Sequence, residues 1–282
     1  MAGTRVLYVL RAMVSAHERV AAWRPPVPGV REVFHARFVD HAYPPHTHDT
    51  WTILLVDAGG VRYSLDRHDH GMTGSTVSVL PPHVVHDGRA ATAGGFRKRV
   101  VYIEPTVLGE AMIGAAVDRP VVSDAGLVRR VGALHRALRH PDDAFEAEAR
   151  LSFVAEGLRR ALRPGGAGGR YEPLLSPPSD LAGMLRDLLD ARLFDAVTLN
   201  DAGAELGASP THLVRCFTRT FGVAPHAYVL GRRIDAARRH LLDGRPLAEV
   251  AVAVGFHDQS HLTRHFRRHV GTTPARYVRP AR

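Results

Sequence analysis

Two textures divide the chain. From Arg31 to Glu104 the apolar residues come in short runs: Val33-Phe34-His35-Ala36-Arg37-Phe38, Trp51-Thr-Ile-Leu-Leu-Val56, Val61-Arg-Tyr-Ser-Leu65, Thr76-Val-Ser-Val-Leu80 and Arg99-Val-Val-Tyr-Ile103. Asp57-Ala-Gly-Gly60, Gly71, Gly74 and Pro81-Pro82 punctuate them. Short, partly alternating runs at this spacing predict an antiparallel β-barrel or sandwich. Beyond Asp124 the spacing widens to three and four residues. Leu127, Val131, Leu134 and Leu138 predict a helix ended by Pro141, and Ala147, Leu151, Val154, Leu158 and Leu162 a second one, which Asp142 or Asp143 can cap. A weaker helical pattern (Val6, Val9 or Leu10, Met13, His17, Val20) runs over residues 1–24. It fits an arm packed on the front domain, a loose helix, or an over-called start with Met13 as the initiator.

Arg163-Pro-Gly-Gly-Ala-Gly-Gly169, followed by Pro173 and Pro177-Pro178, has the composition of a linker. The expected division is therefore an arm or over-called start over 1–30, a β-rich domain with two trailing helices over 31–163, a linker over 164–178 and an all-helical domain over 179–282. Within the last, one pattern is written twice. Leu199 to Gly207 is followed by Ser209, Leu213, Phe217, Phe221-Gly222, Pro225 and Tyr228; Leu247 to Gly255 is followed by Asp258, Leu262, Phe266, Val270-Gly271, Pro274 and Tyr277. Such duplication means one structural unit used twice.

Each copy reads as helix–turn–helix. A short helix ends at a glycine, Gly207 or Gly255, which tolerates the positive φ of a sharp turn. Ser209, with Pro210 behind it, and Asp258 are good N-caps for the second helices. Leu213, Phe217 and Phe221, and Leu262, Phe266 and Val270, turn one side of each second helix to a core. The opposite sides carry Thr211, His212, Val214, Arg215 and Thr218 in the first copy, and Gln259, Ser260, His261, Thr263, Arg264 and Arg267 in the second. Arg and Gln near a helix N-terminus match base edges in a major groove, while Arg219, Arg232, Arg233, Arg267 and Arg268 suit phosphates. The long helix expected over Pro225 to Leu242 would set the distance between the two reading heads.

Composition narrows this only slightly. The net charge of +9 favours a polyanionic partner, but Lys98 is the sole lysine, so an arginine-biased composition accounts for much of it. Cys216 is the single cysteine, which excludes a disulfide framework and a cysteine-based zinc site; a packed thiol is expected. No apolar run approaches the roughly 18 residues of a membrane span. A cytoplasmic protein is expected.

Gly255-Phe256-x-Asp258-Gln-Ser260-x-Leu262-x-Arg264-x-Phe266, with Gly271-x-x-Pro274-x-x-Tyr277, resembles the signature of AraC/XylS-type transcriptional regulators over about residues 180 to 280. The resemblance implies a seven-helix domain with two helix–turn–helix motifs. It maps base-reading positions onto Thr211, Val214 and Arg215 and onto Gln259, Ser260, His261, Thr263 and Arg264; Val214 and His261 depart from the residues usual there. In the front domain, His46-Thr-His48 and Gly74 to His86 resemble the two halves of a cupin barrel motif. Three converging imidazoles are the first shell of a catalytic metal site. However, Thr52 and Ile53 stand where metal-binding cupins place a carboxylate, and His83 replaces a glycine. The expectation is an effector pocket lined by His46, His48, Trp51 and His86, with no cofactor and no metal favoured. His41, His68 and His70 are expected in exposed loops.

The resulting expectation is an α+β protein of two domains: a cupin-like antiparallel barrel followed by helices, then an all-α domain whose two helix–turn–helix motifs are joined by a long helix. Its function would be effector-responsive, sequence-specific transcriptional regulation without catalysis. It would bind double-stranded promoter DNA, dimerise through residues 124–163 and contact RNA polymerase if it activates. The competing expectation is a metal-dependent cupin oxygenase or isomerase, with ligands His46, His48 and His86, that carries a DNA-binding domain.

Overall fold

The computed structural model describes residues 18–163 and 180–278. The predicted linker and most of the N-terminal arm lie outside these. Where the arm enters the described residues it is not helical: β1 (Arg19–Trp23) pairs antiparallel with β2 (Val30–Phe38), Ala21 opposite His35. β-Branched Val20 and aromatic Trp23 suit a strand, and the neighbouring edge offers partners that an isolated helical turn lacks.

The front domain comprises two antiparallel sheets. The larger has the order β1-β2-β9-β4-β7-β10 and the smaller the order β3-β8-β5-β6, with β3 Tyr43–His46, β4 Trp51–Gly59, β5 Val61–Leu65, β6 His68–Met72, β7 Val77–Leu80, β8 His86–Ala90, β9 Phe96–Ile103 and β10 Val121–Val122. The sheets face each other without closing into a full barrel. β3, β6 and β8 did not show in the hydrophobic pattern, because Tyr-Pro-Pro-His, His-Asp-His-Gly-Met and His-Asp-Gly-Arg-Ala carry few apolar residues.

β4 explains why Trp51 to Val56 is apolar at every position but Thr52. Trp51, Ile53 and Leu55 face one way and join Val33, Val77, Val79, Val101 and Ile103. Leu54 and Val56 face the other way, between the sheets, with Phe34, Phe38, Tyr63, Leu65 and Val100. A strand covered on both faces loses the polar half of its alternation. Its outer cover is two helices. After α1 (Pro105–Leu108) and α2 (Ile113–Asp118) come α3 (Ala125–Ala137) and α4 (Ala144–Leu162), which bury Leu127, Val131, Leu134, Leu151, Val154, Leu158 and Leu162. Asp124 caps α3 by accepting a hydrogen bond from Leu127 N at 3.0 Å.

Seven helices follow among the described residues: α5 (Asp180–Ala191), α6 (Leu199–Leu206), α7 (Pro210–Phe221), α8 (Pro225–Leu242), α9 (Leu247–Ala253), α10 (Gln259–Val270) and α11 (Pro274–Tyr277). Gly207 and Gly255 turn the two units at φ of +65° and +78°. Packing divides the units. The first has its own core of Leu185, Leu188, Leu189, Ala202, Leu213, Phe217, Val223 and Tyr228. The second places Val250, Val254, Phe256, Leu262, Phe266, Val270 and Tyr277 in the same core as Phe34, Phe38 and Leu54 of the β-domain.

Candidate nucleic-acid interface

The reading helices are set by their caps. Thr198 and Asp201 form a reciprocal capping box at α6: Asp201 N donates to Thr198 Oγ1 at 3.1 Å, and Thr198 N donates to Asp201 Oδ2 at 3.2 Å. Ser209 caps α7, taking a hydrogen bond from His212 N at 3.3 Å. Asp258 caps α10, taking one from His261 N at 2.7 Å, and these amide bonds hold its carboxyl below the usual range. Positive partial charge at a helix N-terminus favours an anion there, and at α10 the Asp258 carboxylate supplies one.

On α7, Thr211, His212, Arg215, Thr218 and Arg219 are exposed, while Val214 is partly covered. Ser209 is committed to the cap, and His212 Nε2 lies 3.5 Å from the sulfur of buried Cys216, so the packed thiol is present. On α10, Gln259, Ser260, Arg264 and Arg267 are exposed and Thr263 is partly so. Together with Thr273 they line an open groove of about 540 Å³. His261 is turned partly inward against Phe256 and His265, with ring centroids 5.3 and 4.9 Å away.

Two arginines expected at phosphates lie elsewhere. Arg233 is spent on three main-chain carbonyls, donating to Leu193 O at 2.7 Å, Gly255 O at 2.7 Å and Asp195 O at 2.8 Å. It ties α8 to the turn of the second unit and to the segment before the first. Arg232 is largely covered and leans toward Asp190 at 3.7 Å. Both sit on the connecting helix, whose flanks are packed by both units.

The front domain's histidines do converge. His46, His48 and His86 each have a ring nitrogen within 4.8 Å of the others', and their ring centroids are 4.5 to 5.2 Å apart. Burial, aided by the neighbouring imidazoles, pushes His46 and His48 well below the ordinary histidine value; burial lowers His86 too. Trp51 is not with them. It is fully buried on the opposite face of the large sheet, among Ile53, Ile103 and the α3/α4 cover, because it begins a strand whose odd residues face the helices. Nor are all the remaining histidines loop residues. His68 and His70 lie on β6, where His70 stacks on Tyr63 at 5.3 Å. His41 is packed on Phe38 at 4.8 Å and against Gly271 of the second unit.

What sequence reasoning missed is the junction itself. Helix α8 lays Gly231, Asp235, Arg238 and Arg239 on the mouth of the β-domain. Arg238 is 6% exposed and pairs with Glu32 of β2 at 2.7 Å, with Asp235 at 3.3 Å and with Tyr277 Oη at 3.2 Å, its guanidinium 4.5 Å from the centre of the Tyr102 ring. Burial alone would lower its pKa, but Glu32 and the other neighbours raise it well above the ordinary value, so the charge is retained. Arg239 reaches Asp49 at 3.1 Å. One signal was readable: Arg238 falls on the same stripe as Ile234 and Leu241, where a charge needs a buried partner. Lys98 is a second missed cation. Its ammonium lies 4.1 Å from the centre of the Tyr43 ring, burial brings its pKa down to about 7, and no carboxylate among the described residues pairs with it.

Comparison with known proteins agrees with this arrangement. Residues 28–154 match the AraC-like ligand binding domain and residues 203–280 a helix-turn-helix domain. The chain is 25% identical over 238 residues to the HTH-type transcriptional regulator YbfI of Bacillus subtilis, covering 82% of this chain and 85% of that one. It is 30% identical over 179 residues to the HTH-type transcriptional regulator ExsA of Pseudomonas aeruginosa, covering 54% of this chain and 64% of that one. The fold is also that of ToxT from Vibrio cholerae in its unsaturated-fatty-acid-bound crystal structure, with TM-score 0.56 at 12% identity over 93% of this chain and 94% of that one. With a ligand-binding β-domain in front of paired helix–turn–helix units, the chain belongs to the AraC family of transcriptional regulators.

Proposed function

We propose that this regulator reads a promoter through two unequal helices. The division of labour makes α10 the principal reader through Gln259, Ser260, Thr263 and Arg264, and gives α7 a smaller share through Thr211 and Arg215. Arg219, Arg267 and Arg268 hold phosphates. The observation that carries this reading is the groove on α10: five helix residues able to hydrogen-bond stand exposed or half-exposed around one opening, immediately after a capped N-terminus. On α7 the corresponding surface is interrupted by Val214 and the Ser209 cap. The protein would act in the cytoplasm, without catalysis, as a dimer through 124–163. There α4 leaves Phe145 and Phe153 exposed, 86% and 62%, at an eight-residue spacing that sets both on the same side. Contact with RNA polymerase would follow if the bound protein activates.

The front domain would carry the effector. Lys98 is a cation held among aromatic rings without a carboxylate partner among the described residues, so it would be the charge partner of an effector with an anionic group; the fatty acid bound by ToxT is of that class. An effector can shift DNA binding only by the difference in its affinity for the two domain arrangements. Selection of bound fragments from random DNA tests the reading. A defined motif, with one position relaxed by Arg264→Ala, is expected. Equal affinity for all fragments, governed by salt alone, would leave only nonspecific binding.

A further inference from the structure

The three histidines share one hydrogen-bond pattern, each Nδ1 facing an acceptor. His46 Nδ1 is 2.7 Å from Pro44 O, and His86 Nδ1 is 3.0 Å from Val84 O. A carbonyl oxygen only accepts, so each Nδ1 must donate and each Nε2 is left with its lone pair. His48 Nδ1 is 3.0 and 3.1 Å from the two oxygens of Asp235, which likewise accept. Among the described residues no Nε2 of the three has a hydrogen-bond partner. An acceptor behind Nδ1 and a free Nε2 in front is how proteins orient imidazoles toward a metal. Three such rings supply a nitrogen set suited to zinc and neighbouring transition metals.

The acceptor behind His48 comes from the other domain. Where metal-binding cupins place a carboxylate, this β-domain has Thr52 and Ile53, and the carboxylate bonded to His48 is Asp235 of α8. Gly231, one turn earlier, brings the backbone of the same helix over His46: a Cβ placed there would touch His46 Cβ at 3.7 Å. On the Nδ1 side of His48, between it and Asp235, a cavity of about 20 Å³ lined also by Glu32, Tyr102 and Arg238 leaves room for roughly one water. Zinc–nitrogen bonds of about 2.0–2.1 Å put tetrahedral ligands roughly 3.3 Å apart, so ring rotations must close the present separations of up to 4.8 Å.

We propose that His46, His48 and His86 bind a divalent zinc ion through Nε2, and that Asp235 secures the site from the DNA-reading domain, so that the metal and the docking of the second helix–turn–helix unit strengthen each other. The role is structural and regulatory. A carboxylate behind a metal-bound histidine contributes about 10–100-fold in metal affinity. Linkage requires the metal to favour the docked arrangement by the same factor.

The test uses the full-length chain, stripped with a chelator and titrated with zinc chloride against a competing chromogenic chelator. Metal content is read by elemental analysis. One zinc per chain is expected. His46→Gln/His86→Gln should abolish it, with circular dichroism showing the fold retained, and His86→Gln alone serves if the double variant does not fold. Asp235→Asn should keep the stoichiometry and lose about 10–100-fold in affinity. Substoichiometric zinc in the wild type, or unchanged binding in the histidine variants, would overturn the site. Wild-type affinity in Asp235→Asn would overturn the link between domains. None of these readouts involves DNA, so their failure would leave the reading of α10 standing.

Discussion

The two helix–turn–helix units are built to one plan and anchored differently. Both have a capped second helix, a left-handed glycine turn and an apolar inner face. Yet the first closes a core with α5, whereas the second shares its core with the β-domain. Its contacts there are close: at Gly271, φ +83°, a Cβ would fall 2.5 Å from the Phe38 ring. The first unit touches the β-domain more lightly, through the Arg67 side chain on Arg219 O and through Val85 beside Gly222. Anchorage of this kind leads us to expect that a change inside the β-domain is felt first at α10, the helix with the open polar groove. Duplication supplies two readers; packing decides which of them listens to the sensor.

The largest test of that asymmetry is Arg238→Ala. Removing one member of a buried ion pair leaves Glu32 uncompensated, which costs about 3–5 kcal/mol; urea unfolding measures it. The contrasting pair in the first unit, Arg192 with Glu205, has side chains 43% and 48% exposed, and Arg192→Ala should cost under about 1 kcal/mol. Similar losses for both would erase the distinction. Next in size is Arg264→Ala, expected to lose about 1–3 kcal/mol at one base pair of the selected site, more than Arg215→Ala loses. A larger effect of Arg215 in the same binding assay would reverse the ranking of the two heads. Thr198→Ala removes the capping box of the first unit only. A cost of about 1 kcal/mol is expected, with hydrogen exchange rising in α6 and α7 and not in α10; uniform exchange would mean that the units unfold together.

The mildest effect is of pH. His41, packed against the second unit, is held at about 4 by burial, with Lys98 and His269 adding to it; burial lowers His269 too. A depressed value means the open state takes up protons more readily, so the His41 contribution to docking is complete above about 6.5 and is lost as pH falls toward 4. Lys98, at about 7, has taken its proton before that window is reached. Melting should drop by roughly 2–4 °C per kcal/mol lost, and His41→Phe should flatten the slope. An unchanged slope in that variant would place the titration elsewhere.

Some of this was legible in the residues. The repeat, the caps at Ser209 and Asp258, the glycine turns and the buried stripes of α3 and α4 follow from local rules: spacing, side-chain capping and backbone freedom act within a few residues. His46, His48 and His86 were readable as a group because two adjacent barrel segments carried them. What the residues could not show is what lay opposite. Trp51 looked like a pocket residue because its alternation did not say which face was which. Arg232 and Arg233 looked like phosphate ligands because nothing local marks the carbonyls of Leu193, Asp195 and Gly255.

The sequence by itself determined two domains, the duplicated reader and the polar faces of its helices, since propensity, periodicity and capping are short-range properties of the chain. Only the tertiary structure decided that the second reader is fused to the sensor's core and that Asp235 stands behind His48. Those pairings join residues some two hundred positions apart, and they exist because α8 carries its charges along one face onto a β-domain whose own polar groups, Glu32, His48 and Asp49, were waiting for partners.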